Sequence, residues 1–507
     1  MNRRQKTQSI LVLFLSLFVF ISCAPSYFDP IKTPPEPPRF KGLNDLPYRE
    51  LWAGIVFNGE KVGFSHLKIV PMTGEGLFRL ESEANLRIRF LGLSKRISMK
   101  SEDIVRADLT SHSFRHEMTM DDKTLIIDGS VRDGVLRTSQ KSGPEKKETE
   151  TKLQEPLYPA GAINLYPVLR GMAVGSQYRY NVYDSQTQSV TAVSQTVAAF
   201  ERSRTLDIEP SWKVKTSMLG QEVETWINPR GEAIFELGMK GVLITYRESE
   251  GEARRYLSEA SLNKKDLVLD FSVVKTEKPL ACPRESTLLE ISLTGIAGEL
   301  PLLQGPGQEA PQNPKDQASI VYRIRRNPGS PAKISGPQYS IDGYRWILPA
   351  SQIESDHPEM VNTAREVTKG ISDPLAKVRK LAKWVADEVK DEPIDSFSAL
   401  EVLHTKKGEC QAHTMLYTAL ARALGIPTRM AGGIVYLEEV GFLYHAWAES
   451  DVGGWVSVDP TFDQVGIDAT HIKLVEGPGW ISIVPLGRVV GRVKATVIDY
   501  QAVCGRP

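Results

Sequence analysis

Residues 408 to 460 constrain this chain most, because they set one buried helix and a run of strands in fixed order. Met415, Leu416, Ala419, Leu420, Ala423 and Leu424 recur with the spacing of a helix packed on its apolar face. Gly425 and Pro427 stop it, the glycine just past the end and the proline shortly after. Cys410 therefore falls in the first turn, where free N–H groups and the macrodipole favour an anion. Residues 432–436, 442–448 and 455–459 are rich in aromatic and β-branched side chains and predict successive strands. Between the last two, Asp451-Val452-Gly453 suits a three-residue hairpin loop with glycine in the left-handed position. A loop centred on Val452 sets Ser450 against Gly454, and counting back sets His445 directly opposite Asp459. Residues so paired share a face of the sheet, with Cβ atoms about 4.5–5.5 Å apart.

Cys410, His445 and Asp459 thus supply a nucleophile, a base to deprotonate it and a carboxylate to orient the base, the set that covalent acyl chemistry needs. Each alone has a plainer reading. A cysteine at a helix start is commonly a small buried hydrophobe, a strand histidine a half-buried core residue, and an aspartate before Pro460 a turn former. All three in one register favour catalysis.

The run Ser-Ala-Leu-Glu-Val-Leu-His-Thr-Lys-Lys-Gly-Glu-Cys at 398–410 resembles the lead-in to the catalytic helix of the transglutaminase-like superfamily. So do Ala-Arg-Ala-Leu-Gly-Ile-Pro-Thr-Arg at 421–429, Tyr-His-Ala-Trp-Ala at 444–448 and Gly-Trp-Val-Ser-Val-Asp-Pro-Thr at 454–461. The resemblance covers residues 355 to 475, about a quarter of the chain. It implies an α+β fold with a papain-like core, in which Cys410 is the nucleophile, His445 the base and Asp459 the orienting group. Thr414 departs from the bacterial pattern, which usually has alanine there. The backbone N–H of Cys410 is the default oxyanion donor, and a second donor is unassigned.

The chain has 507 residues, enough for several domains. Lys plus Arg and Asp plus Glu each number 62, and this zero net charge argues against nucleic acid as a partner. Arg3, Arg4 and Lys6 precede an apolar run at 10–21, so residues 1–22 are expected to be a signal peptide. The Phe-Ile-Ser-Cys ending resembles a bacterial lipoprotein signal, with Phe20 where leucine is usual. That resemblance implies lipid attachment at Cys23; the alternative is an ordinary cleaved signal with a stray cysteine. Residues 23–45 hold Pro25, Pro30, Pro34, Pro35, Pro37 and Pro38 and predict a stiff tether. Cys282 and Cys504 remain as a possible disulfide pair, which sequence does not decide. With no CxxC, HExxH or Asp-rich calcium loop, neither a metal nor a cofactor is expected.

Residues 46–275 predict an antiparallel β-rich domain, with hairpin signals at Asn58-Gly59 and across residues 228–231. The polar stretch 140–154 is expected to be an exposed loop. A second β segment spans 276–350, with a flexible loop at 304–314. Helices are expected only after Asp356, one of them starting at Asp373-Pro374 with a buried stripe of Leu375, Val378, Ala382, Val385 and Val389. The transglutaminase-like catalytic domain is placed at 351–480 and closing strands at 481–507.

These readings together describe an enzyme of the bacterial envelope, lipid-anchored to a membrane on the periplasmic side. It would act on amide or peptide bonds of envelope proteins or peptides through a thioester. Hydrolysis is favoured over protein-glutamine crosslinking, which shares the same intermediate. The reading of another class is a non-enzymatic β-rich lipoprotein that binds an envelope ligand.

Overall fold

Asn58 and Gly59 have φ of 48° and 82°, the left-handed values a two-residue hairpin turn demands. They join Glu50–Phe57 to Glu60–Pro71 as the sequence predicts. The computed structural model describes residues 28–505 except 74–75, 91–92, 122, 143–144, 205–207, 256–271, 312–317, 327–345, 351 and 393–395. The signal segment 1–22 and Cys23 lie outside the described residues. Strands make up 49% of the structure, so the molecule is mostly β, with its longer helices at the C-terminal end.

The hairpin belongs to a 16-stranded sheet that holds the first half of the chain. Successive hairpins run outward from Glu50–Phe57 to Glu145–Lys152 at one edge. A second series runs from Gln177–Asp184 to Leu243–Glu248, and that last strand pairs back onto Glu50–Phe57. The two series therefore meet in mid-sheet.

Four expectations are corrected. Residues 140–154 are not a loop: Val135–Ser142 and Glu145–Lys152 pair antiparallel. The charges mark an edge strand, where Arg137 reaches Glu150 at 2.6 Å across the pair and charged side chains discourage further pairing. The tether at 23–45 is docked from Phe28 onward. Phe28–Pro30 pairs with Ser189–Ser203, Phe28 stacks on Trp226 at 4.1 Å, and Leu43 is fully buried. Burying two such side chains, at about 1.5–3 kcal/mol each, offsets part of the entropy lost on ordering the segment, a loss the prolines already lessen. Short helices at Leu165–Arg170 and Glu250–Arg254 precede Asp356. Within the expected closing strands only Lys494–Ala502 is a strand; Val484–Arg488, with Pro485 and Gly487 inside it, forms a 3₁₀ turn.

Lys494–Ala502 lies in a four-stranded sheet beside Ser286–Thr294, followed by Ser319–Arg325 and Gln308–Glu309. The Cys282–Cys504 disulfide closes its end, with Cα atoms 5.6 Å apart, which answers the open question of their pairing. Leu289, Ile291 and Tyr322 share one apolar core with Leu416, Met430 and Ile434, so this sheet and the C-terminal region pack as a unit.

The C-terminal region has helices α1 (Pro358–Val367), α2 (Pro374–Glu388), α3 (Ala399–Thr405) and α4 (Cys410–Ala423). Its strands are β1 (Thr428–Leu437), β2 (Gly441–Asp451), β3 (Trp455–Asp459), β4 (Gln464–Val465) and β5 (Ile472–Gly477). They form an antiparallel sheet in the order β4-β3-β2-β1-β5. Asp373 caps α2 by accepting the Ala376 N–H at 2.7 Å, and Val378, Ala382 and Val385 are buried as the stripe predicts. Helix α4 is the centre: every side chain from Ala412 to Arg422 is buried between α1–α3 and the sheet. The large sheet touches the approach to α4, where Phe397 packs with Phe114, Met118 and Leu125 and Lys95 meets Glu409 at 3.2 Å.

Candidate active site

Cys410 is the first residue of α4, and its free thiol is half-buried. Gly408, at φ 153°, lets the chain turn into that helix, and Gly425, at φ 73°, ends it as expected. The N–H groups of a helix's first turn have no partner within the helix, so they face whatever develops at the Cys410 side chain.

His445 stands on β2 and Asp459 at the end of β3. His445 Nε2 donates to Asp459 Oδ2 at 2.8 Å, with both residues buried. Their pairing differs from the expected register. The loop is Val452-Gly453-Gly454, so Asp451 pairs with Trp455 and Ala448 with Val458; one further step sets Asp459 level with Trp447. Asp451 Oδ1 accepts from Gly453 N at 3.1 Å and Gly454 N at 2.8 Å, which draws the second glycine into the loop. The partner shifts by two positions, an even number, so both side chains keep their face and meet diagonally.

Helix and strand are held in step by Thr414. Its Oγ1 donates to the carbonyl of Ala446 at 3.0 Å, linking the position one turn after Cys410 to the residue beside His445. The departure from alanine seen in the sequence is thus a tether between the two elements that carry thiol and imidazole. With Nε2 committed to Asp459, His445 Nδ1 is the nitrogen left for the Cys410 thiol, whose charge acts on the ring.

Sequence reasoning missed a second imidazole. His471 is buried, and its Nε2 lies 3.0 Å from the same Asp459 Oδ2. Its Nδ1 is 3.2 Å from Asp468 Oδ1, and Asp468 in turn binds Arg284 at 2.8 Å. Arg284 lies over the Phe462 ring at 4.4 Å, and Phe462 stacks on His445 at 5.1 Å. The other oxygen of Asp459 accepts the backbone N–H groups of Thr461 at 2.8 Å and Phe462 at 3.3 Å. Asp-Pro-Thr at 459–461 was the one available signal: such turns hold their own carboxylate. Nothing in the spacing pointed to His471 or Arg284.

Burial alone would push the His445 imidazole down and the Asp459 carboxyl up. The opposite charges outweigh it: Asp459 and Cys410 raise His445 above its ordinary range, and His445 and His471 hold Asp459 well below the usual carboxylate range. Asp468 is likewise depressed, by His471 and Arg284 against its burial, and His471 is raised, by Asp468 and Asp459 against its own.

His445, Asp459 and His471 offer ligand atoms within 4.8 Å of one another. Both imidazole Nε2 atoms bond to Asp459 Oδ2 itself, at 2.8 and 3.0 Å. The set is arranged to share protons among its members rather than to point lone pairs at a common ion.

Residues 361–460 match the family model described as the transglutaminase-like superfamily. An uncharacterized protein of Mycobacterium leprae (strain TN) is 25% identical over 169 residues, 31% of this chain and 60% of its own length. The chain thus spans about 60% of the curated relative it matches. Two solved structures overlap loosely. A "putative cysteine protease" from Cytophaga hutchinsonii is 14% identical, covering 43% of this chain and 90% of that one, with a TM-score of 0.29. A β-barrel-like protein from Brucella abortus is 12% identical, covering 39% and 94%, with a TM-score of 0.31. Neither overlap is close enough to carry a conclusion. The family match is another matter: it takes in Cys410, His445 and Asp459 and stops before His471, and residues 361–460 of this chain are a transglutaminase-like core domain.

Proposed function

We propose that this domain is a thiol acyl-transfer enzyme of α+β, papain-like build, with Cys410 as nucleophile, His445 as base and Asp459 as orienting group. The observation that carries the reading is the 2.8 Å His445–Asp459 bond, which leaves the other ring nitrogen for a thiol at a helix start. With the thiol proton already held on His445 Nδ1, the Cys410 sulfur attacks an amide carbonyl, and the Cys410 N–H receives the developing oxyanion. His445 then protonates the leaving amine as the C–N bond breaks, giving a thioester. A water molecule, deprotonated by His445, attacks the thioester and releases a carboxylic acid and the free thiol.

Water is the favoured acceptor because Cys410 is half-buried rather than enclosed. Of the aromatic residues near the site in sequence, only Trp447 and Phe462 stack near His445. Tyr444 turns to the Val489 carbonyl, and Trp455 lies under Arg429.

Two measurements test this. Iodoacetamide is expected to alkylate Cys410, and His445→Ala to slow that reaction at neutral pH by at least about tenfold, the imidazole being what activates the sulfur. An unchanged rate overturns the Cys–His pair and favours the non-enzymatic reading. With envelope proteins or peptidoglycan peptides and a labelled primary amine, the expected product is a free carboxylate; Cys410-dependent amine incorporation exceeding hydrolysis would make the enzyme a crosslinker instead.

We further propose that the mature chain starts at a lipidated Cys23 in a bacterial envelope, with its substrates among envelope proteins or peptides. The basic start, the short apolar run and Cys23 support this. Intact-mass measurement should find acyl chains on Cys23, and Cys23→Ser should abolish stable membrane association. A mature protein that starts elsewhere and lacks acyl chains would remove the anchor and leave the enzyme untouched.

A further inference from the structure

The large sheet carries a cavity of about 380 Å³, within the ~300–1,000 Å³ range of ligand pockets. It lies over two neighbouring cross-strand rows. Ala53, Ser65, Ala84, Met99, Met118 and Leu125 follow one another across six strands, each opposite the next. Beside them run Leu51, Leu67, Ser82, Ser101, His116 and Ile127 in the same order. Five inter-strand steps of about 4.8 Å make the groove about 24 Å long. A groove of that volume drawn out over that length suits an extended chain rather than a compact ligand.

The walls decide its chemistry. Ala53, Ser65 and Ala84 are small, and their lack of bulk opens the channel, while Met99 and Met118 are flexible and adapt to a chain's contour. The polar atoms along the second row are spoken for within the protein. Ser82 and Ser101 hydroxyls meet at 2.7 Å, Ser101 donates to Asp103 at 2.8 Å, and His116 bridges Asp103 at 3.2 Å and Ser185 at 2.6 Å. A polar ligand would find its hydrogen bonds already made; an aliphatic one loses nothing and removes apolar surface from water. Residues 160–162 press onto the middle of the second row, so close that a Cβ on Gly161 would sit 2.4 Å from Ser82 Oγ, and they wall the groove on that side, leaving the first row as its floor.

We infer that this groove binds an unbranched acyl chain, the aliphatic tail of a fatty acid or of a phospholipid. The site is separate from Cys410 and does not depend on the reading of that residue as a nucleophile.

The test uses the purified full chain. One arm titrates it with a fluorescent polyene fatty acid; the other incubates it with phosphatidylethanolamine vesicles, removes them and looks for co-purifying lipid by native mass spectrometry. Saturable one-to-one binding in the first arm alone assigns the free fatty acid, and lipid retained in the second assigns the phospholipid. Ala84→Trp, which fills the middle of the row, should weaken binding at least about tenfold, the value of roughly two methylenes excluded from the groove. Glu81→Trp, on the same strand but the other face, should bind like the parent. Should Ala84→Trp fail to fold by circular dichroism, Ala84→Leu takes its place with a smaller loss of the same sign. No binding in either arm, or undiminished binding by the folded Ala84 variant, overturns the inference.

Discussion

Asp459→Asn is expected to lower turnover by about 10⁴ while the fold stays intact, the scale seen when the aspartate of a catalytic triad is amidated. The surroundings of Asp459 dictate why. Oδ1 accepts two backbone N–H groups, from Thr461 and Phe462, so an asparagine must keep its carbonyl oxygen there. The amide NH₂ then replaces Oδ2 and points at Nε2 of both His445 and His471. His445 can meet a donor only by carrying its proton on Nδ1, the nitrogen that faces the thiol, and in that tautomer it can no longer take the thiol proton. Circular dichroism and kcat on the same preparation check this. Full activity would mean that another group orients the imidazole.

The same geometry fixes a pH dependence. Asp459 is depressed in the fold, so its contribution to stability is present above its unfolded value of about 3.8 and fades as pH falls below that. His445 is raised, so its contribution is complete below its unfolded value of about 6.5 and fades as pH climbs toward its folded value. Between those limits the pair is ionised and bonded. Asp459→Asn should therefore narrow the difference in stability between neutral and acidic pH.

Much of the site was legible because the features that define it are local. A helix start, a glycine stop and alternating aromatic strands are written within a few residues each, and they placed Cys410, His445 and Asp459 on the right elements. The register came out two positions off because it hinged on one side chain: Asp451 gathers Gly454 into the loop. The face survived, since a shift of two preserves the alternation of a strand. His471 and Arg284 stayed hidden for a different reason. Arg284 lies 184 residues before its partner Asp468, and no periodicity encodes a meeting between segments so far apart. The edge strand at Glu145–Lys152 was misread because its charges resemble those of a solvated loop, although alternation of Lys146, Glu148 and Glu150 is also what an edge requires. The large sheet's hairpins were partly visible; its mid-sheet closure between Glu50–Phe57 and Leu243–Glu248 was not.

Glu449→Leu should lower stability by about 3–5 kcal/mol, the cost of stripping one partner from a buried ion pair. Glu449 is 1% exposed on β2, four residues from His445. Its carboxylate meets Arg429 at 2.6 Å and Lys473 at 3.0 Å, and Glu476 bridges the same two cations at 2.8 and 2.7 Å. Arg429 is also covered by the Trp455 ring at 4.1 Å. Removing Glu449 leaves two buried cations facing one half-buried carboxylate. Burial would raise the Glu449 carboxyl, but Lys473 and Arg429 hold it below its ordinary range. Its stabilisation is therefore present above the unfolded value of about 4.3 and lost as pH falls through the folded one. Thermal melts at pH 7 should separate parent and variant by roughly 10 °C, and the gap should close in acid. A melt unchanged at pH 7 would mean that water or a shifted side chain already compensates these charges. The network spans β1, β2 and β5, so it also ties β2, the strand that carries His445, to its neighbours. Replacing Arg429, Glu449, Lys473 and Glu476 together by apolar residues separates the two roles, since swapping out a whole buried ion network often recovers stability. A quadruple variant that melts like the parent yet alkylates Cys410 more slowly would show that the ions hold the strands in register rather than hold the fold together.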